Sequence, residues 1–381
     1  MLNFSRENTG KVAKWWRNVD KQILFLFSFL FLLGLFFSFS STSTVVAEKM
    51  NTETYFFFAK HFIFVLMSLS LLILISIQEK DRIIKFLPLL FLILLFLLSL
   101  VPIIGVEVKG SKRWIDLIIL PRFQPIELLK PIFILFIAKV IVKNEELNIY
   151  KRHLYSFFIL FFVISLLIYQ PDLGQALLLT LTWITMVFAS GFNMLILLIL
   201  GLALFLAFFL LILFLPSKFG YILLRIQTFI NPNTGDNFQS QKALDAIKQG
   251  GLTGQGMGEG ILKDRVPEAH TDYIIAVIAE EFGALFILFI LIIFLLIAYK
   301  VINKIFSEQD EFLKLSLIGL ISLLVIQTFV HIGVNIRLLP TTGMTLPFLS
   351  YGGSSLIGSS IAAGVILNFT RKDTKKYISN E

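Results

Sequence analysis

Long apolar runs alternate with short polar segments along most of this chain of 381 residues. A helix needs roughly 20 apolar residues to cross the hydrocarbon core of a bilayer, because backbone polar groups in lipid must be bonded within the segment. About ten runs approach that length, so the pattern predicts an all-α membrane protein with about ten transmembrane helices. The runs fall near 23–45, 61–78, 86–104, 124–142, 154–169, 173–190, 194–215, 272–299, 312–335 and 346–368.

Composition supports this prediction and removes several classes of function. The chain is 57% hydrophobic with a mean hydropathy of +0.85, which excludes an ordinary soluble domain. It contains no cysteine, so disulfides, thiolate metal sites and cysteine nucleophiles are excluded. The four histidines are scattered, which disfavours a histidine-rich metal site. The sequence identifies no cofactor and leaves a divalent cation open.

The distribution of Lys and Arg predicts the orientation of the runs. Residues 1–22 are expected to form a cytoplasmic tail, because they are basic and no small-residue cleavage site follows. With that end inside, the cytoplasmic segments carry 18 Lys and Arg and the short outward segments 7, so both termini are predicted to be cytoplasmic. The net charge of +8 therefore reflects topology, and no nucleic-acid partner is expected. Residues 23–368 form one transmembrane domain, and 369–381 a second tail.

The longest polar segment, residues 216–271, is predicted to face outward between helices 7 and 8. A short interfacial helix is expected before Asn231, and an amphipathic helix over 241–248 is expected to lie on the membrane surface. The glycine-rich stretch 250–260 lacks the strand and the Gly-Lys-Ser/Thr ending of a nucleotide-binding loop. Its glycines either hinge the loop or let the main chain approach a sugar or pyrophosphate. Farther on, Glu281 is expected to pair with another span.

Five polar clusters stand at the predicted membrane boundaries. Two of their residues, Glu127 and Lys130, share a helix face three residues apart, and form either a structural ion pair or a functional one. Asp172 either caps the sixth helix or has a functional role. The clusters are Arg113-Trp114-Ile115, Phe123-Gln124-Pro125 with Glu127 and Lys130, Gln170-Pro171-Asp172-Leu173-Gly174, Pro267-Glu268-Ala269-His270-Thr271-Asp272, and Leu346-Pro347-Phe348-Leu349-Ser350-Tyr351-Gly352-Gly353-Ser354-Ser355.

In this order the five clusters resemble the SEDS family (shape, elongation, division and sporulation), over about residues 100–368. The resemblance implies a peptidoglycan glycosyltransferase that polymerises lipid II and releases undecaprenyl pyrophosphate. It also implies a multi-pass protein of the cytoplasmic membrane, placed at the division septum. The implied partners are lipid II, a class B penicillin-binding protein, and other membrane proteins of the division complex.

The resemblance also assigns roles to individual residues. Asp272 matches the catalytic aspartate of the family and is predicted to be the general base for the attacking 4-hydroxyl. A helix start at Pro267 or Thr271 would place its carboxylate near the positive end of the helix dipole. His270 is a candidate for orienting Asp272 or a sugar hydroxyl. Lys112, Arg113 and Arg337 are candidate pyrophosphate contacts. Sequence physics alone favours an ordinary acid of a first helical turn at Asp272, and the match to the family motif reverses that preference.

Two positions favour the division branch of the family over the elongation branch. Ala269 stands where the elongation branch usually has Arg, and Thr345 where that branch usually has Pro. The chain departs from the family pattern at Ile126, Leu129 and Gln175, which we interpret as packing changes. Division members often have Lys before Gly343, where this chain has Thr342. Arg337 either supplies that cation or is a solvated loop arginine.

Two rival functions are compatible with the same polar boundaries. A lipid II flippase or another transporter would need outward loops and a wet cavity, but no general base. A scaffold that recruits other wall enzymes would tolerate the loss of Asp272. An elongation-type polymerase is the alternative within the family. Polymerisation of labelled lipid II by the purified protein with its partner discriminates these readings.

Overall fold

A computed structural model describes residues 10–41, 56–108, 110–117, 120–143, 147–199, 201–202, 206, 214, 216–231 and 238–372. Within these ranges twelve helices and three strands have defined bounds. The helices are α1 (Lys11–Asn18), α2 (Lys21–Ser41), α3 (Phe56–Ile77), α4 (Lys80–Ile104), α5 (Pro125–Val142), α6 (Ile149–Tyr169), α7 (Leu173–Ala189), α8 (Pro216–Ile230), α9 (Phe238–Gly250), α10 (Ile274–Ser307), α11 (Glu311–Asn335) and α12 (Gly353–Phe369). The strands are β1 (Val106–Val108), β2 (Ser111–Leu117) and β3 (Leu120–Phe123).

The predicted helical membrane architecture is confirmed. In the described ranges, six helices are long and apolar enough to span a bilayer, and α7 and α12 are shorter apolar helices. Nine of the predicted runs coincide with a helix, including α5, which begins at Pro125 as expected of a first-turn proline. The run predicted at 194–215 lies mostly outside the described residues, although 194–199 are helical. The total number of spans therefore stays a prediction.

The helices differ in how much of their surface the protein covers. α5 and α11 are buried on most of their faces, whereas α3 and α4 expose broad apolar faces. A helix that is apolar all round belongs either in a protein core or against lipid. α5, α11 and α12 therefore form the centre of the bundle, and α3 and α4 leave apolar faces uncovered at its periphery.

Both described ends of the chain meet at one end of the bundle. The indole N–H of Trp15 in α1 donates to the hydroxyl of Ser76 at the end of α3, at 2.8 Å. The backbone N–H of Lys372 donates to the carbonyl of Asn18, at 3.0 Å. The guanidinium of Arg371 donates to the carbonyls that end α3. The two described ends thus lie at the same end of the bundle. Which side of the membrane they face stays a prediction, and residues 373–381 of the second predicted tail lie outside the described ranges.

The segment between α4 and α5, which is predicted to face outward, folds into a three-stranded antiparallel sheet that the sequence analysis missed. Its order is β1-β2-β3, with Val106 opposite Trp114 and Ile115 opposite Phe123. Successive side chains of a strand point to opposite faces. Lys112 and Arg113 therefore point in different directions from β2, and Lys112 is exposed.

The amphipathic helix of the long loop was predicted correctly, but its expected place on the membrane surface was wrong. It is α9, and its buried Ala243 and Ala246 pack against Tyr273, Ala276 and Val277 at the start of α10. Its apolar face is therefore covered by protein. α8 supplies the short helix expected before Asn231.

Part of the glycine-rich stretch packs against the main chain of α10, which the sequence analysis did not predict, and its two readings, as a hinge or as a ligand-approaching main chain, stay hypotheses. A Cβ on Gly254 would lie 2.2 Å from the carbonyl oxygen of Glu281, and one on Gly283 would lie 2.2 Å from that of Leu252. Backbone hydrogen bonds join Gln255 to Glu280 and Gly256 to Glu281, and α10 kinks at Gly283. The glycines let this loop pack directly on its own helix.

The carboxylates of Glu280 and Glu281 also hold the long loop against α10. The Glu280 carboxylate accepts hydrogen bonds from the backbone of Leu262 at 2.7 Å and of Lys263 at 2.6 Å. The buried Glu281 carboxylate pairs with the Lys263 ammonium and accepts from the Ser40 hydroxyl of α2. Glu281 therefore has a partner on another span, as expected, which is the Ser40 hydroxyl of α2. Its cationic partner, Lys263, belongs to the loop.

Removing one side of this buried pair should destabilise the protein. Lys263→Met leaves Glu281 buried without its cation, which costs about 3 kcal/mol or more in free energy of unfolding. Lys314→Met is the matched control, because Lys314 pairs with Glu311 at an exposed site where such pairs contribute less than about 1 kcal/mol. Thermal unfolding of the two purified variants measures the difference. Equal losses would show that the Lys263 pair does not anchor the loop.

Candidate active site

Asp272 lies in a turn immediately before α10. The backbone N–H groups of Thr271 and Tyr273 both donate to the carbonyl of Glu268, which has a positive φ of 58°. The helix begins at Ile274, so the expectation of a helix start at Pro267 or Thr271 was wrong. Asp272 consequently precedes the first turn instead of being part of it. The turn leaves its side chain partly accessible beside a cavity.

This cavity has a volume of about 190 Å³ and is lined by several separate segments of the chain. β2 contributes Arg113, α8 contributes Arg225, and the turn before α10 contributes Glu268, Asp272 and Tyr273. The segment after α11 contributes residues 341–344. Segments far apart in sequence thus place two carboxylate side chains and two guanidinium groups around a single cavity.

Gly343 determines how closely these charges approach each other. A Cβ at this position would lie 3.6 Å from Oδ2 of Asp272 and 3.8 Å from Nη1 of Arg113. Its φ of 69° also favours glycine over residues with a side chain. The Asp272 carboxylate and the Arg113 guanidinium therefore face each other across a bare Cα.

Arg113 is held by the turn between α6 and α7. Its Nε donates to the carbonyl of Gln170 at 3.3 Å, Nη2 donates to the carbonyl of Pro171, and Nη1 lies 3.8 Å from Oδ1 of Asp172. Asp172 occupies the N-cap position of α7, while its Oδ2 accepts from Gln124 at 3.0 Å. Three of the five sequence clusters thus form one network, which fixes the guanidinium beside the cavity.

Tyr273 adds a buried phenol to the cavity wall. Burial, and after it the neighbouring Asp272 carboxylate, raise the pKa of Tyr273 to about 12. The phenol therefore stays protonated at neutral pH and is available as a hydrogen-bond donor. It does not compete with Asp272 as a base.

Three other candidates from the sequence lie away from this cavity. His270 packs its ring against Phe57 and Tyr351, with ring centroids 5.2 and 5.7 Å away. Lys112 is exposed on the sheet. Arg337 donates to the side chain of Gln241 at 2.7 Å and lines an adjoining cavity of about 170 Å³. The geometry therefore does not support Arg337 as the replacement for a cation at Thr342, which itself lines the Asp272 cavity.

Arg225 is the cation that the sequence analysis missed. It lines both cavities, and its Nη1 donates to the carbonyl of Thr341, one residue before Thr342, at 3.4 Å. Its only signal in the sequence was one arginine in an otherwise apolar turn of α8. Such an arginine also fits an interfacial helix, so pattern alone could not select it.

Glu127 and Lys130 form a buried ion pair in α5, with Nζ 2.9 Å from Oε2. Gln175 of α7 donates to Glu127 at 2.6 Å, and Lys130 donates to Gln327 of α11 at 3.2 Å. Gln327 in turn donates to the carbonyl of Thr345 at 2.9 Å. The pair lies outside the cavity, and its network ends two residues from Gly343. Ile126 and Leu129 beside it are buried, in keeping with packing changes, whereas the same interpretation of Gln175 was wrong, because its amide is a hydrogen-bond partner of the pair.

Within the described ranges, no group of three or more His, Cys, Asp or Glu side chains is arranged to hold a metal ion.

A double-mutant cycle tests the coupling of the ion pair. Glu127→Gln and Lys130→Met should each destabilise the protein by about 3 kcal/mol, because each leaves a buried charge unpaired. The double variant should recover much of that loss, since no uncompensated charge remains. Thermal unfolding of the three variants measures the coupling. Additive losses would mean that the two side chains act independently.

Comparison with known proteins identifies the family of the chain. Residues 20–375 match the model of the FtsW/RodA/SpoVE family, described as cell cycle proteins. A probable peptidoglycan glycosyltransferase FtsW from Geobacter metallireducens is 38% identical over 294 residues, which cover 74% of this chain and 76% of the relative. One from Caulobacter vibrioides, with the same description, is 32% identical over 280 residues, covering 72% and 70%.

Solved structures show the same fold. A chain from a structure of a peptidoglycan synthase complex, described as coordinating polymerization and crosslinking, matches with a TM-score of 0.74 and 25% identity, covering 92% of this chain and 97% of that one. The rod shape determining protein RodA of Thermus thermophilus matches with a TM-score of 0.68 and 25% identity, covering 93% and 97%. With a family model that spans nearly the whole chain, these matches establish that the protein belongs to the FtsW/RodA/SpoVE family of cell cycle proteins.

Proposed function

We propose that this protein is a peptidoglycan glycosyltransferase that polymerises lipid II at the outer face of the cytoplasmic membrane during cell division. The relatives at 32–38% identity carry the description of probable peptidoglycan glycosyltransferases. The observation that carries the proposal is the cavity in which Asp272 faces Arg113 across Gly343. A base opposite a cation is the arrangement that glycosyl transfer to a hydroxyl from a diphosphate requires.

The reaction forms one bond and breaks one bond at the anomeric carbon of the growing chain. The 4-hydroxyl oxygen of the incoming lipid II disaccharide attacks that carbon, and the bond to the undecaprenyl pyrophosphate oxygen breaks. Asp272 accepts the hydroxyl proton. Arg113 and Arg225 stabilise the negative charge that develops on the departing diphosphate, because charge-assisted hydrogen bonds from guanidinium suit phosphate oxygens.

The division role is the finer part of the proposal. Ala269, which is typical of the division branch, is buried against α9 and α10 in a cluster of small apolar side chains. Thr345, the second such position, shares a hydrogen bond with Ser355 at 2.5 Å that proline could not make. Both positions lie beside the Asp272 turn or the Gly343 segment, so they support a role specific to this branch.

A class B penicillin-binding protein is the proposed partner, and the division septum is the proposed location. The proposal rests on the structural match to a chain of a peptidoglycan synthase complex. The apolar faces of α3, α4 and α10 that remain exposed are compatible with lipid and with a partner helix.

The role of Asp272 is tested by Asp272→Asn, which keeps the size of the side chain and removes the base. Polymerisation of labelled lipid II by the purified variant with its partner should fall by about 100-fold or more, because general bases contribute at least that much. Expression and thermal stability should stay at the wild-type level. A variant that keeps more than about a tenth of wild-type activity would rule out general-base catalysis at this position.

The diphosphate contacts are tested by comparing two arginines from adjoining cavities. Arg225→Ala should lower the polymerisation rate about 10- to 150-fold, since a lost charge-assisted contact costs about 1.5–3 kcal/mol. Arg337→Ala is the matched control and should have a much smaller effect, because its guanidinium is directed at Gln241. Adding Thr342→Lys to Arg225→Ala should restore activity, since residue 342 lines the same cavity. A larger loss from Arg337→Ala than from Arg225→Ala would reverse the assignment.

The partner is tested by titration. Polymerisation by the purified protein should rise strongly and then saturate as a division-type class B penicillin-binding protein is added. An elongation-type transpeptidase is the matched control and should stimulate less. If only the elongation-type protein stimulates, the elongation branch is correct; activity unchanged by either protein would contradict the proposed partnership.

A further inference from the structure

The cluster from Leu346 to Ser355 has no role yet in the proposed reaction, although it lies close to Asp272. The backbone N–H of Tyr351 donates to the carbonyl of His270 at 2.9 Å. The hydroxyl of Ser350 donates to the carbonyl of Thr271 at 2.7 Å. This segment therefore holds two successive carbonyls of the turn that presents Asp272.

The third carbonyl, that of Asp272 itself, is held from α11. The side-chain amide of Asn335 donates one N–H to the Asp272 carbonyl at 3.1 Å and the other to the carbonyl of His331 at 2.9 Å. Because both of its hydrogens are used and the side chain is fully buried, the amide has one orientation. Three consecutive carbonyls of the turn are thus each fixed by a different donor.

The same donors also fix the opposite wall of the cavity. The Ser350 hydroxyl accepts from the backbone N–H of Leu346 at 2.9 Å. His331, whose carbonyl anchors Asn335, has a ring nitrogen 2.7 Å from the carbonyl of Met344, the residue after Gly343. Ser350 and Asn335 therefore link the Asp272 turn to the segment that carries Gly343. The separation between the carboxylate and the wall opposite depends on both links.

We propose that Asn335 and Ser350 are positioning residues, which set the distance of the Asp272 carboxylate from Gly343 and Arg113 through hydrogen bonds to the backbone. This inference rests on the proposed function, because the position of the Asp272 carboxylate affects the rate only if Asp272 is the general base. A misplacement of about 1 Å in a reacting group can lower a rate by about 100-fold without loss of substrate binding. In this proposal, the cluster 346–355 contributes through Ser350, which positions the base and does not contact the phosphate.

The test is steady-state polymerisation of lipid II by the purified chain with its partner. Asn335→Ala, Asn335→Leu and Ser350→Ala should each lower kcat by about 10- to 100-fold while KM for lipid II changes less than about twofold. Asn335→Leu keeps the volume of the side chain but has no hydrogen-bond donor. A loss of kcat in this variant is therefore due to the missing hydrogen bonds and not to an unfilled space. Ser350→Ala removes only a hydroxyl and keeps the test valid if the Asn335 variants fail to fold.

Asn368→Ala is the matched control. Asn368 is also fully buried, and its amide donates to the carbonyls of Ile75, Ser76 and Gln78 at the opposite end of the bundle. This variant should lose thermal stability to a similar degree but keep kcat. If Asn335→Ala and Ser350→Ala keep the kcat of the control, or if kcat falls only in proportion to thermal stability in all variants, the positioning role is wrong.

Asp272→Asn, assayed in parallel, separates this inference from the proposed function. If it abolishes polymerisation while Asn335→Ala and Ser350→Ala leave kcat intact, only the positioning role fails. If Asp272→Asn itself retains activity, the proposed base fails, and the positioning role fails with it.

Discussion

The contact of Arg113 with the turn between α6 and α7 is the interaction on which the candidate site depends. It joins the outward sheet to the membrane bundle through Gln170, Pro171 and Asp172. A guanidinium carries five donors in a rigid fork, so it can bond this turn and still face the cavity. Without this contact, the Arg113 guanidinium would not be held to the turn before α7, and its position opposite Asp272 would not be fixed.

The same requirement, that buried polar groups find partners within the chain, organises the rest of the site. Lys130, which pairs with Glu127, donates to Gln327. Gln327 in turn donates to the carbonyl of Thr345. Asn335 and Ser350 hold the turn before α10. These networks converge on residues 343–346 from two sides. Polar side chains at membrane depth are costly when unpaired. Here the hydrogen bonds that satisfy them also define the shape of the cavity.

The sequence predicted the parts of this structure that depend on hydrophobic periodicity or on local residue chemistry. The helical spans and the first turn at Pro125 follow from single segments, and the structure has them. The sheet of Val106–Phe123 was missed because its strands are short and gain their order only by pairing with each other. The glycine-rich loop was misinterpreted because its partner, the backbone of Glu280 to Leu285, lies on a different element. Arg225 was missed, and the place of Arg337 was left open, for the same reason, since which cavity a cation faces depends on tertiary packing.

Under the proposed mechanism, lipid II binds as the acceptor with its 4-hydroxyl at residue 272, and the departing diphosphate of the donor, the growing chain, binds between Arg113 and Arg225. The most direct measurement is a cryo-electron microscopy structure of the inactive Asp272→Asn variant with its partner and bound lipid II. We expect the 4-hydroxyl of the acceptor sugar within about 3.2 Å of the residue 272 side chain, which is hydrogen-bond distance. We also expect the diphosphate of a second lipid II, bound as the donor, against the two guanidinium groups. A disaccharide bound instead along His270, Phe57 and Tyr351, with residue 272 free of substrate, would contradict the account.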